Sequence, residues 1–182
     1  MPYVTSYMRL YDESVRLEYT FILLSVQIWI QGLVSYPATL LAIKIGPRWT
    51  LIIAGLMISA GVFVSSFVTS FELFFLFYGL SFSLGMSLSY SISLIASWSY
   101  FPEHKGKVTG WLTSGTAFGQ SVWSIVTGMQ VNPENVEPSI RVMNGQVEDF
   151  YFSEDVAMRT PIMLRYDALI LLILALISIV LV

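Results

Sequence analysis

Five side chains in this sequence pair a polar group with a place deep inside uncharged sequence: Gln27, Gln31, Tyr90, Gln120 and Trp123. An amide, a phenol or an indole N–H donates a hydrogen bond to a carboxylate without carrying charge itself. Gln27 and Gln31 stand one helical turn apart, and Gln120 and Trp123 about one turn apart, so each pair shares a face of any helix that contains it. Such a face could orient a small anion. Taken singly, the glutamines and Trp123 read first as bonds between membrane helices, and Tyr90 as readily one way as the other. Ser83, Ser87 and Ser91 form a further polar stripe, although a helical serine can satisfy itself on the carbonyl four residues back. Other chemistry is excluded by composition. His104 is the only histidine, which rules out histidine-based metal clusters and serine–histidine catalysis. There is no Gly-x-x-x-x-Gly-Lys phosphate loop and no basic stripe for nucleic acid, so no enzyme and no cofactor are expected. The chain has no cysteine, and nothing points to a disulfide-forming compartment.

The elements that must carry these residues follow from where charge is missing. Hydrophobic residues make up 55% of the chain and charged ones 12%, about half the charged share of a soluble domain; mean hydropathy is +0.72. Residues 19–43, 49–71, 73–102 and 108–133 contain no Asp, Glu, Lys or Arg, which makes gaps of 25, 23, 30 and 26 residues, and 168–182 adds 15 more. A bilayer core takes about 20 apolar residues as a helix. The expected architecture is therefore all-α, a polytopic transmembrane bundle in one integral membrane domain, 1–182. Its spans are placed at 19–43, 49–70, 73–101, 108–130 and 163–182. An outer acidic loop at 132–162 is expected as a solvated connection, with Phe150–Phe152 as a patch packing on the outer face. Gly55 with Ser59 and Gly61 with Ser65 have small-xxx-small spacing, a signal for close helix packing.

Alternating spans divide the charge unequally. Lys44, Arg48, Glu103, Lys105 and Lys107 share one end, with four cations and one anion; the other end holds five cations and eleven anions. Excess Lys and Arg in short loops marks the cytoplasmic side. Residues 1–18 are too polar to span, and their charges interrupt any cleavable leader.

The stretch from Ser97 to Gly119 joins two uncharged segments through Glu103, His104, Lys105, Gly106 and Lys107. Pro102 should end the incoming helix near Phe101. Gly106, Gly110, Gly115 and Gly119 strip side chains from one stripe of the outgoing helix, so a close approach of another helix is expected there. Tyr100, Phe101, Pro102, Lys105, Gly106 and Gly110 together resemble the loop between the fourth and fifth helices of the major facilitator superfamily, most closely its branch of oxalate/formate antiporters and monocarboxylate transporters. Leu41, Lys44, Gly46 and Arg48 resemble that superfamily's loop between helices two and three, which is thought to latch the inward gate. Thr39 stands where the family pattern has Gly, and Ile43 where it has Asp, so the ion-pair partner of the latch is missing and ordinary gating is put in doubt.

The resemblance implies the N-terminal half of a major facilitator fold, helices two to six, with nearly all of the first helix and the second half outside this sequence. It implies secondary active transport of a small organic anion, a monocarboxylate or oxalate/formate, by alternating access. Gln27, Gln31, Tyr90, Gln120 and Trp123 are then the substrate-binding candidates, and Lys44, Gly46 and Arg48 the gating loop. The expected partners are the lipid bilayer, a small organic anion, and the missing half of the transporter or other membrane subunits. A transport-inactive structural subunit of a larger complex is the alternative. Localisation is an integral, multi-pass membrane, plasma or organelle.

Overall fold

The computed structural model describes residues 2–144 and 147–181. The chain opens with a short helix, α1 (Pro2–Arg9), then α2 (Glu18–Ile45), which runs 28 residues, or roughly 42 Å at 1.5 Å per residue. Pro37 lies inside α2 without ending it. Around it the hydroxyls of Ser35 and Thr39 donate to the carbonyls of Gly32 and Ser35, both at 2.8 Å, the back-bonding usual for hydroxyl side chains in a helix. The join to α3 (Pro47–Ser65) is a single residue, Gly46, at φ 83° and ψ 167°. Only glycine occupies that region without strain, and Pro47 restarts the helix at its first position, where the missing N–H is harmless.

A continuous 30-residue rod follows, Phe71–Tyr100: α4 (Phe71–Phe74), a π-helical stretch (Phe75–Leu80) and α5 (Ser81–Tyr100). The rod ends at Tyr100 and a 3-10 turn occupies Pro102–His104, as the proline predicts. Beyond it come α6 (Lys105–Val131), a β-hairpin, a short α7 (Glu154–Ala157), and α8 (Thr160–Leu181). Residue 182, the expected end of the last span, lies outside the described residues.

Among the described residues four helical segments are long and apolar enough to cross a membrane: Glu18–Ile45, Pro47–Ser65, Phe71–Tyr100 and Glu154–Ser178. The chain is an integral, multi-pass, all-α membrane protein. The expected span at 108–130 is helical and, at 27 residues, long enough. Its glycines, serines, threonines and two glutamines leave it less apolar than the other four. The acidic connection differs more from expectation, because strand β1 (Ile140–Asn144) pairs antiparallel with β2 (Val147–Tyr151). Tyr151 is buried at 1% exposure, and the Phe152 ring lies 4.6 Å from that of Tyr3.

Packing centres on α3, which lies along both α5 and α8, while α2 packs along α5. The contact points are glycines. A methyl on Gly55 would overlap Ala175; one on Gly61 would sit 2.8 Å from the Phe77 carbonyl oxygen; one on Gly85 would sit 2.9 Å from the Ala54 carbonyl oxygen. Two of these belong to the small-xxx-small pairs on α3. The glycines of α6 differ from expectation. Around Gly106, Gly110, Gly115 and Gly119 nothing lies within 4 Å of an added Cβ. The helix meets α5 and α8 only slightly, and at 3.6 residues per turn Gly106 and Gly110 lie on the side opposite Gly115 and Gly119, so these are two uncovered pairs and not one stripe.

The larger core sits at the end opposite Lys44 and Lys107. There Val4, Tyr7, Met8, Val15, Phe74 and Val131 are buried together. Hydrogen bonds tie α1 into this end. The Thr5 and Thr20 hydroxyls pair, the Phe152 N–H donates to Ser6 Oγ at 3.1 Å, and Arg9 donates to the Val15 carbonyl at 2.8 Å. The Arg9 guanidinium also lies 4.5 Å from the centre of the Tyr151 ring, a charge–ring contact that supplements the hydrogen bond. Arg165 reaches across from α8, donating from Nε to Ser66 Oγ at 3.3 Å and covering the Phe67 ring at 4.5 Å.

Candidate functional site

Gln27 and Gln31 lie on α2, both partly buried. The helix packs along α5 on this side, because Ser87 Oγ donates to the Gln31 carbonyl at 3.3 Å as well as to the Ser83 carbonyl at 2.9 Å. Ser83 likewise donates to the Gly79 carbonyl at 2.7 Å. Two members of the serine stripe are therefore occupied with backbone acceptors, and one of them also ties α5 to α2. Gln27 is different. Its Nε2 is buried and has no hydrogen-bond partner, an unusual state for an amide donor.

Tyr90 lies farther along α5, half-buried. Gln120 and Trp123 lie on α6, where Gln120 is exposed and Trp123 half-buried. The packing brings the α2 candidates against α5 and leaves the α6 pair apart from them, since α6 has little contact with the rest of the chain. Gln27 and Gln31 thus lie on a helix packed along the one that carries Tyr90, while Gln120 and Trp123 lie on a helix with little contact to either.

The loop at the cationic end is rigid by construction. The Gly46 N–H donates to the Ala42 carbonyl at 3.0 Å, and Thr50 Oγ1 donates to the Gly46 carbonyl at 2.7 Å, so both sides of the turn are closed. Lys44 and Arg48 are exposed. Ile43, at 63% exposure, offers them no carboxylate. Among the described residues the one ion pair is Arg141–Glu148 at 3.7 Å, on the exposed hairpin.

Among the described residues three further polar groups are buried without partners: Ser59 Oγ, on a residue that the sequence marked only for packing, and Gln130 Oε1 and Asp167 Oδ1, which it did not mark. Asp167, at 5% exposure, is the last charge before the final uncharged run. That position is the signal that could have marked it, since an ionisable residue inside a membrane segment is costly to keep. Ser59, together with Ser89 and Ser93, lines a crevice of about 200 Å³ whose other walls include Leu51, Ile58 and Leu171. The crevice lies over α3, between α5 and α8, which both rest on α3 and barely meet each other. No group of three or more His, Cys, Asp or Glu that could hold a metal occurs among the described residues.

Compared with known proteins, residues 13–132 match a family model described as Major Facilitator Superfamily. The matched segment takes in α2, α3, the Phe71–Tyr100 rod and α6, and so all five substrate-binding candidates and the loop at Gly46. No curated protein matches the chain, and no solved structure does.

Proposed function

The chain belongs to the Major Facilitator Superfamily, a family of transporters, and on that premise we propose that it serves secondary transport of a small organic anion, a monocarboxylate or oxalate/formate. The observation that carries this reading is the buried, unpartnered Nε2 of Gln27, one turn from Gln31 on a helix of the matched segment. An amide donor held away from water lacks an acceptor, and a carboxylate oxygen supplies one. Gln31 and Tyr90 extend the polar surface. Gln120 and Trp123 join it from α6 when that helix is drawn in.

Neutral donors orient an anion but do not neutralise it. Residues 19–43, 49–71, 73–102 and 108–133 hold no Lys or Arg, so the neutralising cation comes from further membrane helices, the other half of a transporter. The uncovered glycine pairs of α6, Gly106 with Gly110 and Gly115 with Gly119, support such neighbours, for small residues four apart present the kind of surface on which helices pack closely. Tyr100, Phe101, Pro102, Lys105, Gly106 and Gly110, the residues of the helix four to five loop, support the oxalate/formate and monocarboxylate branch. Alternating access about a midplane site is the expected mechanism, with the cationic end facing the cytoplasm. One observation favours the second reading, a transport-inactive subunit of a membrane complex. Lys44 and Arg48 have no carboxylate at Ile43 to latch against.

The test is uptake of labelled formate, oxalate and lactate into proteoliposomes, with the chain alone and with the cation-bearing helices co-expressed. The reading expects uptake only in the second case. It expects binding weakened roughly ten- to a hundredfold in Gln31→Ala and Tyr90→Phe, which is the loss of one hydrogen bond to a charged group. Uptake of none of the three by the assembled protein refutes the anion assignment and leaves the subunit reading. Equal uptake by the chain alone refutes the need for a second half.

A further inference from the structure

We propose that α1 and the segment from β2 to α7 form a gate over the outer end of the bundle, and that Arg9 latches it. The two segments lie more than 130 positions apart in the chain and are knitted together by side chains. Arg9 donates to the Val15 carbonyl at 2.8 Å and to the Tyr151 hydroxyl at 3.4 Å, and its guanidinium lies 4.5 Å from the centre of the Tyr151 ring. The Tyr151 hydroxyl in turn lies 3.4 Å from the Val15 carbonyl oxygen and 3.3 Å from Asp149 Oδ2, either of which accepts its proton. One side chain thus joins α1, the chain between α1 and α2, and β2. The bond from the Phe152 N–H to Ser6 and another from Thr160 Oγ1 to the Tyr3 carbonyl, at 3.3 Å, complete the fastening.

What lies beneath is the polar surface of α2. Tyr7, Met8 and Val15 share a core with Leu23, and Gln27, with its unpartnered amide nitrogen, stands one turn deeper on the same face as Leu23. A solute approaching Gln27 from the outer end must first part α1 from α2. At eight residues α1 is too short to hold its shape alone, and among the described residues no backbone–backbone hydrogen bond ties it to β2 or α7. A short element held by side chains opens locally while the rest of the fold stays formed. The other end of the helices is built differently. There the crevice lined by Leu51, Ser89, Ser93 and Ser178 separates α5 from α8, and Lys44, Arg48 and Lys107 are exposed, with no ion pair among the described residues at that end. The bundle is fastened outside and gapped toward the cytoplasmic end. Given the reading of the chain as a transporter, on which this inference rests, such an arrangement is the outside-closed one, and the Arg9 contacts are what outward opening breaks.

The sequence has no cysteine, so single cysteines in the whole chain report access to the buried end. Leu23→Cys, at a site 1% exposed, is treated in intact expressing cells with a charged, membrane-impermeant thiol reagent. It should react slowly in the parent background and about tenfold faster with Arg9→Gln, the value of one lost hydrogen bond from a charged group. Arg9→Lys, which keeps the charge near the Tyr151 ring, should recover part of the protection. Ala54→Cys, buried where α3 meets α5, should stay unreactive in every background. Deuterium exchange on the unsubstituted chain gives a second reading, in which the amides of Ser6 to Arg9 exchange well before those of α3. The proposal is overturned by an unchanged rate at residue 23 in Arg9→Gln, or by an equal rise at residue 54, which would make Arg9 an ordinary support of the whole fold. Exchange of α1 as slow as that of α3 overturns it too. None of these readouts involves transport, so the gate and the anion assignment stand or fall separately.

Discussion

Two glycines in this chain have the same residue type and opposite surroundings, which makes one pair of substitutions unusually informative. Replacing Gly85 with Ala places a methyl 2.9 Å from the Ala54 carbonyl oxygen and against the Ile58 side chain. Ile58 is buried and, as a β-branched helical residue, has little χ1 freedom; the carbonyl is held in the α3 backbone and has none. Forcing a methylene into such a contact costs about 1–3 kcal/mol. Replacing Gly110 with Ala places the methyl in a space with nothing within 4 Å. Both variants gain the same helix propensity, about 0.8–1.0 kcal/mol for Ala over Gly. That term cancels between them, so their difference isolates the clash. Gly110→Ala should be stabilised by about 1 kcal/mol and should exceed Gly85→Ala by about 1–3 kcal/mol. At about 2–4 °C per kcal/mol for a chain of this size, the melting temperatures should separate by several degrees. Thermal unfolding in detergent, followed by helical circular dichroism, reads this directly. Equal melting temperatures, or a less stable Gly110→Ala, would mean that α6 is covered within this chain and that α3 and α5 do not meet at Gly85.

Two further outcomes are expected. Gly46→Ala should lower stability by about 1–3 kcal/mol, the strain of a side chain at φ 83° and ψ 167°, and a melting curve matching the parent would mean that the turn has another conformation. Stability should also fall at alkaline pH. Burial first, then the hydrogen bond and proximity of Tyr11, push the Tyr7 phenol up to about 12 from 10.0, and burial also raises Tyr151. The unfolded chain releases these protons first, so stability is full below pH 10 and declines as pH rises from 10 toward about 12. Phenolate absorbance and unfolding should be monitored together; stability unchanged across that range, or phenolates titrating at their ordinary value in the folded protein, would contradict the burial of α1.

Much of this architecture was legible in the order of residues, because a bilayer imposes a local rule. A segment without charge for more than 20 residues must satisfy its own backbone, and the helix does so within the segment. The long helices, the break at Pro102, the turn at Gly46 and the separation of the cationic end from the acidic one were therefore readable without contacts. Tertiary structure decided the rest, because packing depends on which faces meet. The same small-residue signal appears at Gly55 and at Gly110, yet α8 closes over the first and nothing closes over the second. The acidic segment read as a solvated connection with a packing patch at 150–152; its hairpin was not legible, because the contacts of Tyr151 and Phe152 are with Arg9, Ser6 and Tyr3, residues more than 130 positions away. Gln27 and Gln31 look alike in sequence; only the packing around α2 leaves the Gln27 amide nitrogen buried without a partner. Asp167 looked like the edge of a span, and folding carried it inside, since burial is set by the elements that come to rest around a residue.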